Sequence, residues 1–455
     1  MQNSFLLNIT LGRSLIDNIA RQSGWLRRIV PGRALSPKIF VQAIVASVAC
    51  GQRSLKQLAV EVGLLSGKTI SKQGLSKRIN SKAVKFLKQV TARALKDVSF
   101  SAQKLSGQIK GVRRILVGDS STLALHSSLA EHFPGATNQT EKVAAQLKLQ
   151  LTFDLLGGRW LQAALDPYKR NDQSAALDIV ETIVQAGDLI IRDLGYATIK
   201  SFRAIGDKGA YFLSRLAPIV GVFDLEGQAL DILKLARTYA TKPGDTFTKR
   251  VQLGADDRFE CRLVIIRVPE EIGEKRRRRL NDDAKRRGKK THQKPYLALQ
   301  DWMIFVTNLD EEQAGNVQLH ELYQLRWRIE NIFKLSKSHT ALLKVAGHRT
   351  NKHHAEALIW AWLLMMITLS GQGIFRLCGA GGQEIIGVSV FKSIEKIVQW
   401  FAVSIELACA GNIAALMERL SSQQAYHDRF ERRRRISMPQ RLARALESES
   451  GLLLG

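Results

Sequence analysis

From residue 112 to residue 216 the chain reads as three strands, a helix, a strand, a helix and a strand, an order that few folds accommodate. Residues 114–118 are a short apolar run that ends on Asp119-Ser-Ser-Thr122. Residues 143–155 alternate loosely, with Gln146, Lys148, Gln150 and Thr152 between apolar neighbours. Gly157-Gly158 makes a turn and residues 159–165 return, which predicts an antiparallel hairpin. Residues 171–185 form a helical pattern with Ala175, Ala176, Ile179, Val180 and Ile183 inward. Residues 188–192 are a strand ending on Asp193-Leu-Gly-Tyr196, and a helix (197–205) and a strand (210–216) follow.

This order predicts an α/β fold with a ribonuclease-H-like catalytic domain, in which strand ends form the crevice where ligands bind. Residues 217–300 interrupt it. Residues 220–223, 246–253 and 258–268 read as strands, with turns at Glu226-Gly227 and Lys242-Pro-Gly244, so a β-rich insertion is expected. It ends in the dense cation run of residues 274–290, which must be solvated or neutralised by phosphate. Residues 302–308 resume a strand, and a long helix is expected from Glu311. The catalytic domain is thus expected at 106–216 and 301–350, with the insertion at 217–300.

The flanks read as helical. Ser36-Pro37 opens a core helix over residues 39–49. Two short helices, 54–63 and 70–79 with Gly63 near the junction, suggest a helix-turn-helix offering Lys72, Gln73, Ser76, Lys77 and Arg78 to DNA. Residues 1–105 are therefore expected to bind DNA. Residues 351–455 are expected to be a helical region for dimerisation or further DNA contacts, with a second basic cluster at Arg429 and Arg432-Arg-Arg-Arg435.

A formal net charge of +27 and a pI near 10.2 favour a polyanionic partner, of which nucleic acid is the commonest. Cys50, Cys261, Cys378 and Cys409 lie far apart, which argues against a structural zinc site or a disulfide framework and fits a reducing cytosol. No signal peptide is read at the start. The most apolar segment, 357–369, is too short to span a bilayer of roughly 30 Å and reads as a buried helix. A cytoplasmic, nucleoid-associated protein is expected.

The stretch 323–337 carries the chemistry. On a helix, Leu322, Leu325, Ile329, Ile332 and Phe333 form one buried stripe. Tyr323, Arg326, Glu330 and Lys337 fall within roughly 60° of each other beside it. One acid among two cations and a phenol suits a metal site that also holds an anionic polymer. Asp119 and Asp193, at the ends of predicted strands, could each simply cap a turn. Together with Glu330 they fit one reaction. Three carboxylates can hold two Mg²⁺ ions, with Mn²⁺ able to substitute, for an in-line phosphodiester displacement.

These residues resemble the DDE transposases of the insertion-sequence-4 family. That family carries Asp after the first strand, Asp after the fourth and a Tyr-(2)-Arg-(3)-Glu-(6)-Lys helix, spacings that Tyr323, Arg326, Glu330 and Lys337 match without a gap. Val117-Gly-Asp-Ser-Ser121, Arg192-Asp-Leu-Gly-Tyr196 and Phe305-Val-Thr-Asn-Leu309 add to the match, which covers about 110–350. The resemblance implies Asp119, Asp193 and Glu330 as catalytic metal ligands, and Tyr323, Arg326 and Lys337 as contacts to phosphates near the transposon end. Trp327 is a candidate to stack on an unpaired base. It further implies cleavage at the element's ends and 3′-hydroxyl attack on target DNA within a homodimer, by cut-and-paste and with a hairpin intermediate open to some members. Two other readings stay open: a catalytically silent DNA-binding protein derived from a transposase, and a ribonuclease-H-like nuclease that cuts without joining.

Overall fold

In a computed structural model the protein is described at residues 12–26, 33–49, 51, 54–97, 109–137, 143–156, 159–217, 219–286, 288, 294–326 and 347–368. The chain begins with five helices, α1 (Arg13–Gln22), α2 (Pro37–Ala49), α3 (Leu55–Ser66), α4 (Lys72–Arg78) and α5 (Ser81–Asp97). Strands β1 (Arg114–Ala124), β2 (Pro134–Thr137), β3 (Val143–Asp154) and β4 (Arg159–Pro167) follow. Helices and strands then alternate: α6 (Asp172–Thr182), β5 (Asp188–Arg192), α7 (Ile199–Asp207), β6 (Tyr211–Arg215) and β7 (Val222–Phe223). The next elements are α8 (Ile232–Tyr239), β8 (Thr246–Leu253), β9 (Phe259–Arg267), α9 (Glu270–Arg286), α10 (Lys294–Ala298) and β10 (Trp302–Thr307). The last are α11 (Asn316–Gln324) and α12 (Lys352–Thr368).

The described residues form two compact units, and β1 belongs to both, with residues 114–118 in the second and 119–124 in the first. The first unit gathers α1–α5, the β2–β4 strands and α12. Its core is built on two helices with no polar face, α2 and α12, a pattern that permits only burial on all sides. Trp25, Phe40 and Phe86 stack at ring separations of 4.6 and 5.0 Å, and Trp362 is fully buried. Among the described residues no helix is long and apolar enough to cross a membrane. The expected buried helix at 357–369 is α12.

The helical pair α3–α4 forms as read, with one shift. Ser54 and Gln57 make a reciprocal capping box at the start of α3. The helix runs past Gly63 and ends where Gly67 takes a φ of +67°, a conformation that suits glycine at a helix C-terminus. Lys72, Gln73, Lys77 and Arg78 are exposed on α4, and Ser76 is half-buried.

The second unit is a sheet ordered β1-β5-β6-β10-β9-β8-β7. β1, β5 and β6 are parallel, and Leu189, Ile190 and Ile191 are apolar on both faces of β5, as a buried parallel strand requires. From β6 onward the pairing is antiparallel. The segment 217–300 holds the three expected strands, yet it also folds α8, α9 and α10. β9 pairs with β10, so these strands extend the sheet rather than form one of their own.

Candidate active site

Asp193 follows the last residue of β5 and occupies the N-cap of a single 3-10 turn, Leu194–Tyr196. The turn closes through backbone alone, the Tyr196 amide donating to the Asp193 carbonyl at 3.0 Å, and the Asp193 carboxylate makes no capping bond. A side chain in the usual capping position is thus spared for another partner. Asp119 differs from expectation. β1 does not end at Gly118 but continues through Asp119 to Ala124, because Ser-Ser-Thr is compatible with extended backbone. What ends at Gly118 is the register with β5, whose last pair is Gly118 with Arg192. Each acid is therefore the residue next in chain after that pair. Both are half-buried, and Asp119 accepts from the Ser120 amide at 2.8 Å.

The signature helix begins later than the sequence suggests. Asp310 accepts at its carbonyl from the amides of Gln313 and Ala314, which makes a turn of residues 310–314, and Gly315 is the extended N-cap of α11. The turn is held from β9. Arg262, 3% exposed, donates to the carbonyls of Leu309 (3.4 Å) and Ala314 (2.8 Å), to Asn316 Oδ1 (2.5 Å) and to Thr248 Oγ1 (3.1 Å). A strand of the interrupting segment thereby fixes the start of α11, the helix that carries Tyr323.

α11 closes at Gln324, and the Arg326 amide donates to the Tyr323 carbonyl in a tightened last turn. Leu322 and Leu325 are buried as expected. Tyr323 and Arg326, beside that stripe, are themselves buried at 3% and 7% exposure, because this side of the helix faces the sheet. The Tyr323 ring lies 5.1 Å from that of Phe305 on β10, and Phe305 is the register partner of Arg215, the last residue of β6. The Arg326 guanidinium lies over the Tyr323 ring at 5.7 Å. Burial pushes the Tyr323 hydroxyl above the usual phenol range; Arg326 opposes this, Asp193 adds to it, and Arg215 opposes it. Asp193, Arg215, Tyr323 and Arg326 therefore share one electrostatic neighbourhood.

Two further groups join it. Burial lowers the Arg276 pKa to about 10, the Arg215 charge adding to the fall and Asp301 opposing it, and Arg276 in turn helps burial hold His320 down at about 4. Arg215 and Arg276 escaped the sequence reading. Arg215 ends a strand with no motif around it, and Arg276 lies within a cation run that reads as solvated. Glu330, Lys337 and Trp327 lie outside the described residues. Among the described residues no group of three or more His, Cys, Asp or Glu side chains is placed to hold a metal ion.

Residues 110–366 match the family model for the transposase DDE domain. The chain belongs to this family. It is an enzyme that acts on DNA, as a member of the DDE transposases that the 323–337 signature indicates. Similar proteins include the transposases of insertion sequence elements IS231C and IS231D from Bacillus thuringiensis, 28% and 29% identical over 71% of this chain and 70% of theirs. The transposase of IS1151 from Clostridium perfringens is 26% identical over the same shares. A solved piggyBac transposase synaptic complex with hairpin DNA aligns over 92% of this chain and 84% of that one, at 9% identity and a TM-score of 0.48.

Proposed function

We propose that this DDE transposase binds the ends of an insertion sequence, cuts them and joins the 3′-hydroxyl ends to target DNA as a homodimer, by cut-and-paste. The observation that supports the reading is that Asp193 and Arg326 both act on the buried Tyr323 hydroxyl, three residues that the resemblance implicates.

The donor set suits a hard divalent cation: carboxylate oxygens only, with Asp119 and Asp193 half-buried and Asp193 making no bond to the turn it caps. Asp119, Asp193 and Glu330 would hold Mg²⁺ or Mn²⁺, in two ions. When bound, the cations supply charge neutralisation at the scissile phosphodiester and a more acidic attacking hydroxyl.

The chain's own part is to bind and orient. Arg326 and Lys337 hold backbone phosphates, and the Arg326 fork can engage two oxygens of one phosphate at once. Tyr323, its ring against Phe305 and its hydroxyl buried, is the third residue assigned to the phosphates, and the charges of Asp193 and Arg215 both act on that hydroxyl. Trp327 stacks on a base displaced at the end. Carboxylates alone would repel a phosphate; the guanidiniums of Arg215, Arg276 and Arg326 offset that repulsion. The α3–α4 pair, with Lys72, Gln73, Lys77 and Arg78, docks on the end sequence.

Purified protein with Mg²⁺ or Mn²⁺ is expected to cut labelled DNA at the inverted repeats flanking its own gene and to join the product to a second duplex. Glu330→Gln is expected to bind that DNA and leave it intact. Cutting without joining would make the protein a nuclease, binding without cutting a silent descendant, and unchanged cutting by Glu330→Gln would remove Glu330 from the metal site.

A further inference from the structure

The cation run divides over two faces of α9. At about 100° per residue, Gly273, Arg276, Arg277, Leu280 and Ala284 share one side. Gly273 and Ala284 are buried, and the other three half-buried. This side is fixed to the sheet. Arg276 donates to the carbonyls of Gln300 and Trp302, both at 3.3 Å, and Arg277 pairs with Asp301. Asp301 also pairs with Arg267 at 3.2 Å, and that guanidinium lies 4.5 Å over the Trp302 ring.

The opposite side, an arc of about 120°, carries Lys275, Arg278, Arg279, Asp282, Lys285 and Arg286. All six are exposed. Glu274 lies 3.4 Å from Arg278 and Asp283 2.6 Å from Arg286 at the edges of the stripe. Lys275 and Arg279 stand at (i, i+4), a like-charge pairing that disfavours an isolated helix. The row runs about 16 Å along an axis held rigid from below.

We propose that this outer stripe is a second, sequence-independent site for the backbone of duplex DNA, separate from the signature residues. It rests on the reading of the chain as an enzyme that works on DNA. A rigid cationic row matches the regular phosphate spacing of a duplex, about one charge per 1.7 Å of axis counting both strands. It presents no aromatic side chain on which unpaired bases would stack.

The test is binding of the full-length protein to an end-bearing duplex and to a random-sequence duplex, by fluorescence anisotropy from 50 to 200 mM KCl. Replacing Lys275, Arg278 and Arg279 together by Gln is expected to reduce the slope of log K against log salt by about 2.7 on both duplexes, three contacts at roughly 0.9 each. The double variant Arg278→Lys, Arg279→Lys is expected to keep the slope. If circular dichroism shows the triple variant unfolded, Arg279→Gln alone carries the test, with an expected fall of about 0.9. Wild-type binding with an unchanged variant slope overturns the stripe alone, as does a loss confined to the end sequence or a preference for single strands. A wild-type protein that binds neither duplex overturns the functional reading as well.

Discussion

His320 shows how one buried side chain reports on the site. It sits on α11 behind Tyr323, 6.3 Å from the Phe305 ring, and burial with the Arg276 charge holds its pKa at about 4 against an ordinary 6.5. The neutral imidazole is the form that the fold accepts, so between those two values the unfolded chain binds the extra proton. Its contribution is fully present above pH 6.5 and is lost as pH falls toward 4, on the order of 3 kcal/mol over the window. His320→Gln is expected to flatten the fall in melting temperature between pH 6.5 and 4. An unchanged slope would mean that His320 is solvated or protonated in the folded protein. Asp193 makes the complementary point. From sequence alone an acid after a strand is as readily a cap as a ligand, and in the structure Asp193 stands at the N-cap without a side-chain capping bond.

At the scale of elements, regular periodicity was legible and irregular junctions were not. β5 and β8 stand where the apolar runs place them, and α2 opens at Pro37. β1 outran its apolar run, because its second half, with Ser120, Ser121 and Thr122, carries polar residues on an extended backbone. The start of α11 moved from Glu311 to Asn316 through hydrogen bonds from Arg262, about fifty residues upstream, which no local window contains. Arg262→Leu leaves the carbonyl of Ala314 and Oδ1 of Asn316 without the guanidinium donor they accept from, at about 1–3 kcal/mol each. Chemical denaturation is expected to show that loss, with Arg262→Lys less affected and DNA cleavage falling in step with α11 mobility in hydrogen exchange. Wild-type stability in Arg262→Leu would show that the 310–314 turn holds itself.

For the whole molecule, charge and topology separate the tasks. The +27 balance is not one diffuse field. Some guanidiniums are internal, with Arg262 and Arg276 spent on backbone carbonyls, while others are exposed on α9 and α4. Residue type and spacing singled out Asp193, Tyr323 and Arg326, of which Asp193 and Arg326 both act on the Tyr323 hydroxyl, whereas Arg215 and Arg276 enter only through register and packing that composition does not encode. In the proposed reaction Asp193 serves the metal and not the turn. The measurement is single-turnover cleavage of an end-bearing duplex in Mg²⁺ by Asp193→Asn, beside its affinity for the same DNA and its melting temperature. Asn keeps the size of the side chain and removes the charge. Cleavage is expected to disappear while affinity and melting temperature stay near wild type; cleavage at the wild-type rate would contradict the account.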